Sequence, residues 1–158
     1  MSRLTHLDDD GRARMVDVSG KEPTTRIATA QGSLSCDRAT LDQVRAGTAP
    51  KGSVMRTAEL AGIMAAKRTA ELIPLCHPLP LSSVQVELAC RSEPAAVEIT
   101  ATCRSVGRTG VEMEALCAVS AAALTVYDMC KAVDRAMRIT DVRLRHKSGG
   151  KSGTYTAD

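Results

Sequence analysis

A chain of 158 residues, 44% hydrophobic and 25% charged, has the length of one ordinary domain and enough apolar material for a core. No apolar run is expected to be long enough to span a bilayer, and Asp8, Asp9, Asp10, Arg12 and Arg14 exclude a secretory segment near the start, so a cytoplasmic protein is expected. A net charge of +3 is too small to argue for nucleic acid by itself.

Residues 1–14 are polar and charged and are expected to form a flexible arm, with residues 15–158 as one domain. Met15 to Ser19 reads as a short extended segment. Thr25 to Cys36, with Ile27, Thr29, Leu34 and Cys36, predicts a first strand. Asp37 precedes a short helix through Ala39–Val44 that ends at Gly47. Ser53 is placed to cap a second helix running to about Leu72. Pro74, Pro78 and Pro80 then exclude both helix and central strand, so Ile73 to Leu81 is expected as a rigid, ordered loop.

Ser83 to Arg91 alternates apolar and polar residues, as does Ala95 to Val106. Ser92-Glu93-Pro94 joins them as a hairpin. Gly110 to about Ala136 predicts a long helix, Met137 to Lys147 a last strand, and a Gly-rich tail closes the chain. Strand, helix, strand, strand, helix, strand is the ferredoxin-like βαββαβ order: an α+β fold with helices on one face of an antiparallel sheet. The short helix is an insertion in the first crossover.

Tyr127 and Tyr155 are the only aromatic residues, so the core is built from Ala, Val, Leu, Ile and Met. Such a core buries little area per side chain, and a small domain of this kind often gains stability by oligomerising. On the long helix, Leu116, Val119, Ala123, Val126, Cys130 and Val133 fall on one stripe, expected to face the sheet. Glu114, Cys117, Ala118, Ala121, Thr125, Asp128 and Ala132 form a second stripe of mostly small residues, which favours a partner chain packing there. Glu114 and Asp128 lie about 21 Å apart along the axis at 1.5 Å per residue, too far for one small ligand to touch both easily. If both are functional, a site shared between two chains resolves the separation most simply.

Asp128 and Lys131, three apart, are neighbours on one edge, and spacing alone favours an ordinary surface ion pair. His77 sits between prolines, whose rigidity would fix its ring. The six cysteines form no C-x-x-C pair and are expected as free thiols, with Cys76 beside His77 the one to watch. Arg143, Arg145, His146, Lys147 and Lys151 cluster toward the end as a solvated basic tail or an anion site. Lys147-Ser148-Gly149-Gly150-Lys151-Ser152-Gly153 looks like the end of a phosphate-binding loop but has Arg145 where that motif needs glycine. It can still wrap an anion through backbone N–H groups and two lysines.

Met15–Ser19, Ala65–Thr69 with Leu72–Leu79, Thr109–Leu116, Tyr127–Ala132 and Lys147–Gly153, in this order, resemble the molybdenum cofactor biosynthesis protein C family over nearly the whole chain. The resemblance implies a ferredoxin-like catalytic domain, assembled as a homo-hexamer (a trimer of dimers) with active sites between subunits. It implies a lyase that turns a cyclised GTP-derived triphosphate into a cyclic pyranopterin phosphate with loss of pyrophosphate. By motif position it implies Asp128, Lys51 and Lys131 as catalytic residues. Leu75, Cys76, His77, Met113 and Glu114 would line the base pocket, with Glu112 supporting it, and Arg26, Lys67, Lys147 and Lys151 would hold the triphosphate. No metal site is expected from ligand spacing, and no cofactor; magnesium riding on the triphosphate is compatible with this.

Two other classes compete. A ferredoxin-like RNA-binding module would stack bases on sheet aromatics, which a chain without Phe or Trp does not supply. A non-catalytic regulatory domain would bind a ligand between subunits without turning it over.

Overall fold

Twelve residues of alternating small and polar side chains make β1 (Thr24–Ser35) the centre of the molecule. Ala28, Ala30, Gly32 and Leu34 turn to the covered face, and Thr29, Gln31 and Ser33 to the open one. In the computed structural model, which describes residues 7–158, the elements that follow are α1 (Arg38–Ala46), α2 (Val54–Lys67), α3 (Thr69–Leu72), β2 (Leu81–Arg91), β3 (Ala96–Gly107), α4 (Glu112–Cys130), β4 (Arg138–Ser148) and β5 (Tyr155–Thr156). The sheet order is β2-β3-β1-β4-β5, with every neighbouring pair antiparallel. This is the expected ferredoxin-like arrangement with one short strand added.

The core lies between the sheet and the layer formed by α2 and α4. Leu34, Val97 and Ile99 meet Val119, Ala123 and Val126 there, all essentially inaccessible. Two glycines set the spacing. A Cβ at Gly32 would stand 2.7 Å from Val119 Cγ1, and one at Gly62 would stand 2.9 Å from the Ala118 carbonyl oxygen. Gly62 against Ala118 and Lys51 against Asp128 show that α2 runs antiparallel to α4.

Several expectations need correction. The helix from Ser53 does not continue to Leu72: it breaks at Arg68, where the Thr69 hydroxyl donates to the Ala65 and Ala66 carbonyls in competition with the backbone. Ser53 occupies the cap position but its hydroxyl makes no cap bond; its carbonyl takes the Thr57 N–H and hydroxyl instead. The long helix ends at Cys130, not near Ala136. Buried Asp134 accepts the Asp37 and Ala136 N–H groups and pins a tight turn, which leaves Val133 half exposed instead of on the sheet. Met15–Ser19, read as a short extended segment, lies outside helix and sheet. In the Gly-rich tail, Tyr155 and Thr156 pair with Lys147 and His146, a short strand beyond the expected last one.

The second stripe of α4 is shared: α2 covers Ala118 and Glu114 is buried, while Cys117, Ala121 and Thr125 remain half exposed. At 19 residues, with no charge from Ala115 to Tyr127, α4 is also long and apolar enough to cross a bilayer by length and composition, contrary to expectation. It packs on the sheet and α2 as a core helix does. Residues 1–6 of the expected arm lie outside the described residues. Leu7 to Ala13 closes a small turn, in which Asp8 Oδ1 accepts the Asp10 and Arg12 N–H groups.

Candidate functional site

The proline loop, the start of α4 and the segment after the arm converge on one cavity of about 250 Å³. Leu75, Cys76, His77, Glu112, Met113 and Glu114, the residues the resemblance assigned to the base pocket, all line it. His77 Nε2 lies 2.7 Å from the Val16 carbonyl oxygen. A carbonyl only accepts, so Nε2 is the donor in this bond. This bond ties the segment around Val16 to the proline loop, both of which line the cavity.

Glu114 is 4% exposed, and burial, reinforced by the nearby Glu112 charge, raises its pKa. Burial, and then the Glu114 charge, likewise push the Cys76 thiol up, which disfavours the nucleophilic thiolate.

A second cavity of about 780 Å³ is lined by Gly20, Lys21, Glu22, Thr24, Arg26, Gly150, Lys151 and Ser152. Lys21 lines both cavities. Arg26 is buried, and its guanidinium donates to the carbonyls of Gly107, Arg108 and Gly149 at 3.3–3.4 Å. It thereby knits the loop before α4 to the glycine tail. Gly150 has φ +73°, and a Cβ there would run into that guanidinium, so only glycine fits without displacement. Lys147 Nζ lies 2.7 Å from Ser152 Oγ and 3.2 Å from Glu112 Oε1, linking the tail to the first cavity.

The basic residues of the tail do not act together. Strand alternation sends Arg143 to the open face of the sheet, where it lines a cavity with Gln31, Arg91, Glu98 and Asp141. Arg145 donates to the Asp158 carbonyl. Lys67 lines a third cavity with Ile63, Leu79 and Ser82, apart from the other expected phosphate ligands.

At the far end of α4, Asp128 accepts from Lys51 Nζ at 2.6 Å and from Lys131 Nζ at 2.7 Å, one bond to each carboxylate oxygen. The bonds from Lys131 and then Lys51 hold the Asp128 carboxyl down at about 2, and the carboxylate raises the Lys131 pKa. Spacing suggested only an ordinary Asp128–Lys131 pair; the fold adds Lys51 from the loop before α2. A carboxylate between two ammonium groups can move protons and stabilise developing negative charge. Asp128 lies about 21 Å along α4 from Glu114, so one chain does not bring this trio to its own first cavity.

Lys21 was missed in the sequence because nothing but its place shortly after Met15–Ser19 singles it out. Val16, Thr109 and Gly110, which also line the first cavity, belong to motif segments quoted above and could have been named. Among the described residues no group of three or more His, Cys, Asp or Glu side chains is placed to hold a metal ion. The described cysteines are free thiols.

Comparison with known proteins bears on the whole chain. Residues 15–150 match the model of the MoaC family. Proteins named cyclic pyranopterin monophosphate synthase are similar along their full length. That of Dinoroseobacter shibae is 56% identical over 158 residues, covering all of both chains. That of Methylobacterium nodulans is 59% identical over 160 residues, covering all of this chain and 99% of its own. That of Thermomicrobium roseum is 58% identical over 155 residues, covering 98% of this chain and 93% of its own. With motifs, fold and full-length similarity in agreement, the chain belongs to the MoaC family.

Proposed function

We propose that this protein is a cyclic pyranopterin monophosphate synthase. It converts 3',8-cyclo-7,8-dihydro-GTP into cyclic pyranopterin monophosphate and pyrophosphate, an early step of molybdenum cofactor biosynthesis. The observation that carries this is the junction of two cavities at Lys21: one lined by carboxyl and amphipathic side chains, the other basic and edged by glycine. The first suits a purine-derived ring, because Glu112, Glu114 and His77 offer hydrogen-bond partners beside the apolar Met113 and Leu75. The second suits a triphosphate, because Lys21, Arg26 and Lys151 supply positive charge where the backbone can approach closely.

Ring opening and rebuilding need groups that donate and accept protons, and Asp128 with Lys51 and Lys131 supplies them. In the closing step a sugar oxygen bonds to the α-phosphorus, the bond from phosphorus to the bridging oxygen of the β-phosphate breaks, and pyrophosphate leaves with that electron pair. The hydroxyl proton passes to a base of the site, and lysine ammonium groups neutralise the charge that develops. Magnesium enters, in this reading, with the triphosphate. Lys67, which lines a separate cavity, is the remaining cation assigned to the triphosphate.

We further propose that the trio and the two cavities meet across a subunit boundary in a homo-hexamer, a trimer of dimers, working in the cytoplasm. The separation of Asp128 from Glu114 along one rigid helix supports the shared site, and the free thiols suit a reducing compartment. The test is to incubate the pure protein with the cyclised dihydro-GTP and follow pyrophosphate release and pterin fluorescence after oxidation, with Asp128→Asn alongside. Turnover lost in the variant is expected. No turnover by correctly assembled wild type would overturn the assignment in favour of a ligand-binding domain.

A further inference from the structure

Lys131 stands where α4 stops. Its N–H donates to the Tyr127 carbonyl at 2.8 Å and closes the helix. Its side chain is 52% exposed, and Ala132 and Val133 after it are exposed as well. No packing therefore grips the lysine stem or the two residues that follow. An ion pair in solvent fixes a long side chain only weakly, and the three-residue spacing to Asp128 lasts only while the helix end keeps its shape. Whether the ammonium stays 2.7 Å from Asp128 Oδ1 thus depends on where the turn puts the Lys131 backbone.

The turn is anchored at its far end by Asp134, the first buried residue after Cys130 and 5% exposed. Its Oδ2 accepts the Asp37 N–H at 2.9 Å and its Oδ1 the Ala136 N–H at 3.0 Å. Asp37 caps the start of α1, so the first bond ties the end of α4 to the junction of β1 and α1. From the helix side, the Tyr127 hydroxyl crosses the same turn and donates to the Arg135 carbonyl at 3.3 Å. Among the described residues Asp134 forms no ion pair. The groups beside it include the thiols of Cys36 and Cys130, which burial and then its charge push up, Cys36 to about 11. A buried carboxylate without a cation costs free energy that an apolar residue would not. What it supplies in return is two acceptor oxygens that hold two N–H groups at once. The amide of asparagine, of the same shape, would present a donor to one of them.

Granted the catalytic trio proposed above, we infer that Asp134 is a positioning residue for the reaction: by locking the turn from Lys131 to Ala136 against the start of α1, it holds the Lys131 ammonium on Asp128. Being buried, it acts through the backbone and not on the substrate.

The test compares Asp134→Asn with wild type and with Gly32→Ala, which strains α4 near its middle. Tm, kcat on the cyclised dihydro-GTP and the pKa of the Lys131 ammonium, followed by nitrogen-15 NMR, are measured on each, the last two well below Tm. Asp134→Asn should lower kcat by about 10–100-fold, the loss expected when a reacting group is misplaced by about 1 Å. Its Lys131 pKa, which Asp128 raises in the wild type, should fall toward the value in Asp128→Asn. Gly32→Ala should lower Tm and leave the other two quantities in place. Asp37→Pro removes the other half of the same bond, because proline keeps φ near the −68° found at position 37 and has no N–H. It should act in the same direction, and it decides the matter if Asp134→Asn does not fold. A lower Tm with kcat and Lys131 unchanged would reduce Asp134 to a structural pin and overturn the inference. So would either quantity moving without the other, or an equal shift of Lys131 in Gly32→Ala. Wild type without turnover would overturn the proposed function instead, and the Lys131 pKa would still decide what holds the ammonium in place.

Discussion

Gly32→Ala probes how tightly the sheet holds the helix that carries both ends of the site. The new Cβ would stand 2.7 Å from Val119 Cγ1 and 3.1 Å from Val142 Cγ2. Val119 is fully buried on α4, and a helical valine has one strongly preferred rotamer, so it has no route out of the way. The Val142 methyl is on the partly exposed β4 and can yield. Overpacking of this kind costs about 1–3 kcal/mol, against about 0.4–1 kcal/mol recovered by replacing a flexible glycine. The difference spans about 0–2.6 kcal/mol, and the immobile Val119 puts the net loss in its upper half, about 1.3–2.6 kcal/mol. For a chain of this size that lowers Tm by roughly 3–10 °C, measured at one fixed protein concentration. The partner variant is Val119→Ala. Each single change should destabilise, and the double variant should be more stable than their sum by at least about 0.5 kcal/mol, since the added methyl occupies the space vacated. A Gly32→Ala protein with unchanged or raised Tm would refute the close approach of β1 to α4.

Three further outcomes can be checked. Glu114 has its folded pKa raised above 4.5 by burial, so its contribution to stability is complete below about that pH and is lost as pH rises through the folded value. Urea titrations should therefore show wild type losing stability relative to Glu114→Gln from about pH 4.5 upward; a difference that does not change with pH would exclude the buried acid. Asp128→Asn should lower kcat by about 10²–10⁴, the usual range for acid–base groups. Since the carboxylate raises the Lys131 pKa, nitrogen-15 NMR of its ammonium should report a lower pKa in that variant, and an unmoved value would mean that the 2.7 Å bond does not form in solution. Gly150→Ala places a side chain at φ +73° and against the Arg26 guanidinium, which should displace the tail bearing Lys147 and Lys151. Its KM should rise and its binding of inorganic triphosphate should weaken several-fold, the αL strain alone costing about 1–2 kcal/mol. Unchanged binding would remove the tail from the phosphate site.

The fold was legible wherever one local rule acts without competition. Alternation over Ser83–Arg91 and Ala95–Val106, with a proline turn between them, leaves no alternative to a hairpin. Three prolines between Ile73 and Leu81 leave no alternative to an ordered loop, and that loop already places His77 and Cys76 together. Errors arose where a side chain competes with the backbone. The Thr69 hydroxyl breaks the helix at Arg68, and the Asp134 carboxylate ends α4 early by binding Asp37, 97 residues away. Spacing along α4 could report that Glu114 and Asp128 are far apart, because helix rise is a constant of the backbone.

Local periodicity and turn chemistry thus determined the element order, since these depend on neighbours within a few positions, while the family and most of the pocket residues came from the resemblance of whole motifs. Only the tertiary structure decided that Lys51 meets Asp128 across 77 residues, that Lys21 joins two cavities and that Arg26 is occupied by three carbonyls. It also decided that α2, and not a second chain, covers Ala118. Those are contacts between distant segments, and side-chain type and local periodicity carry no record of which segments the packed core will bring together.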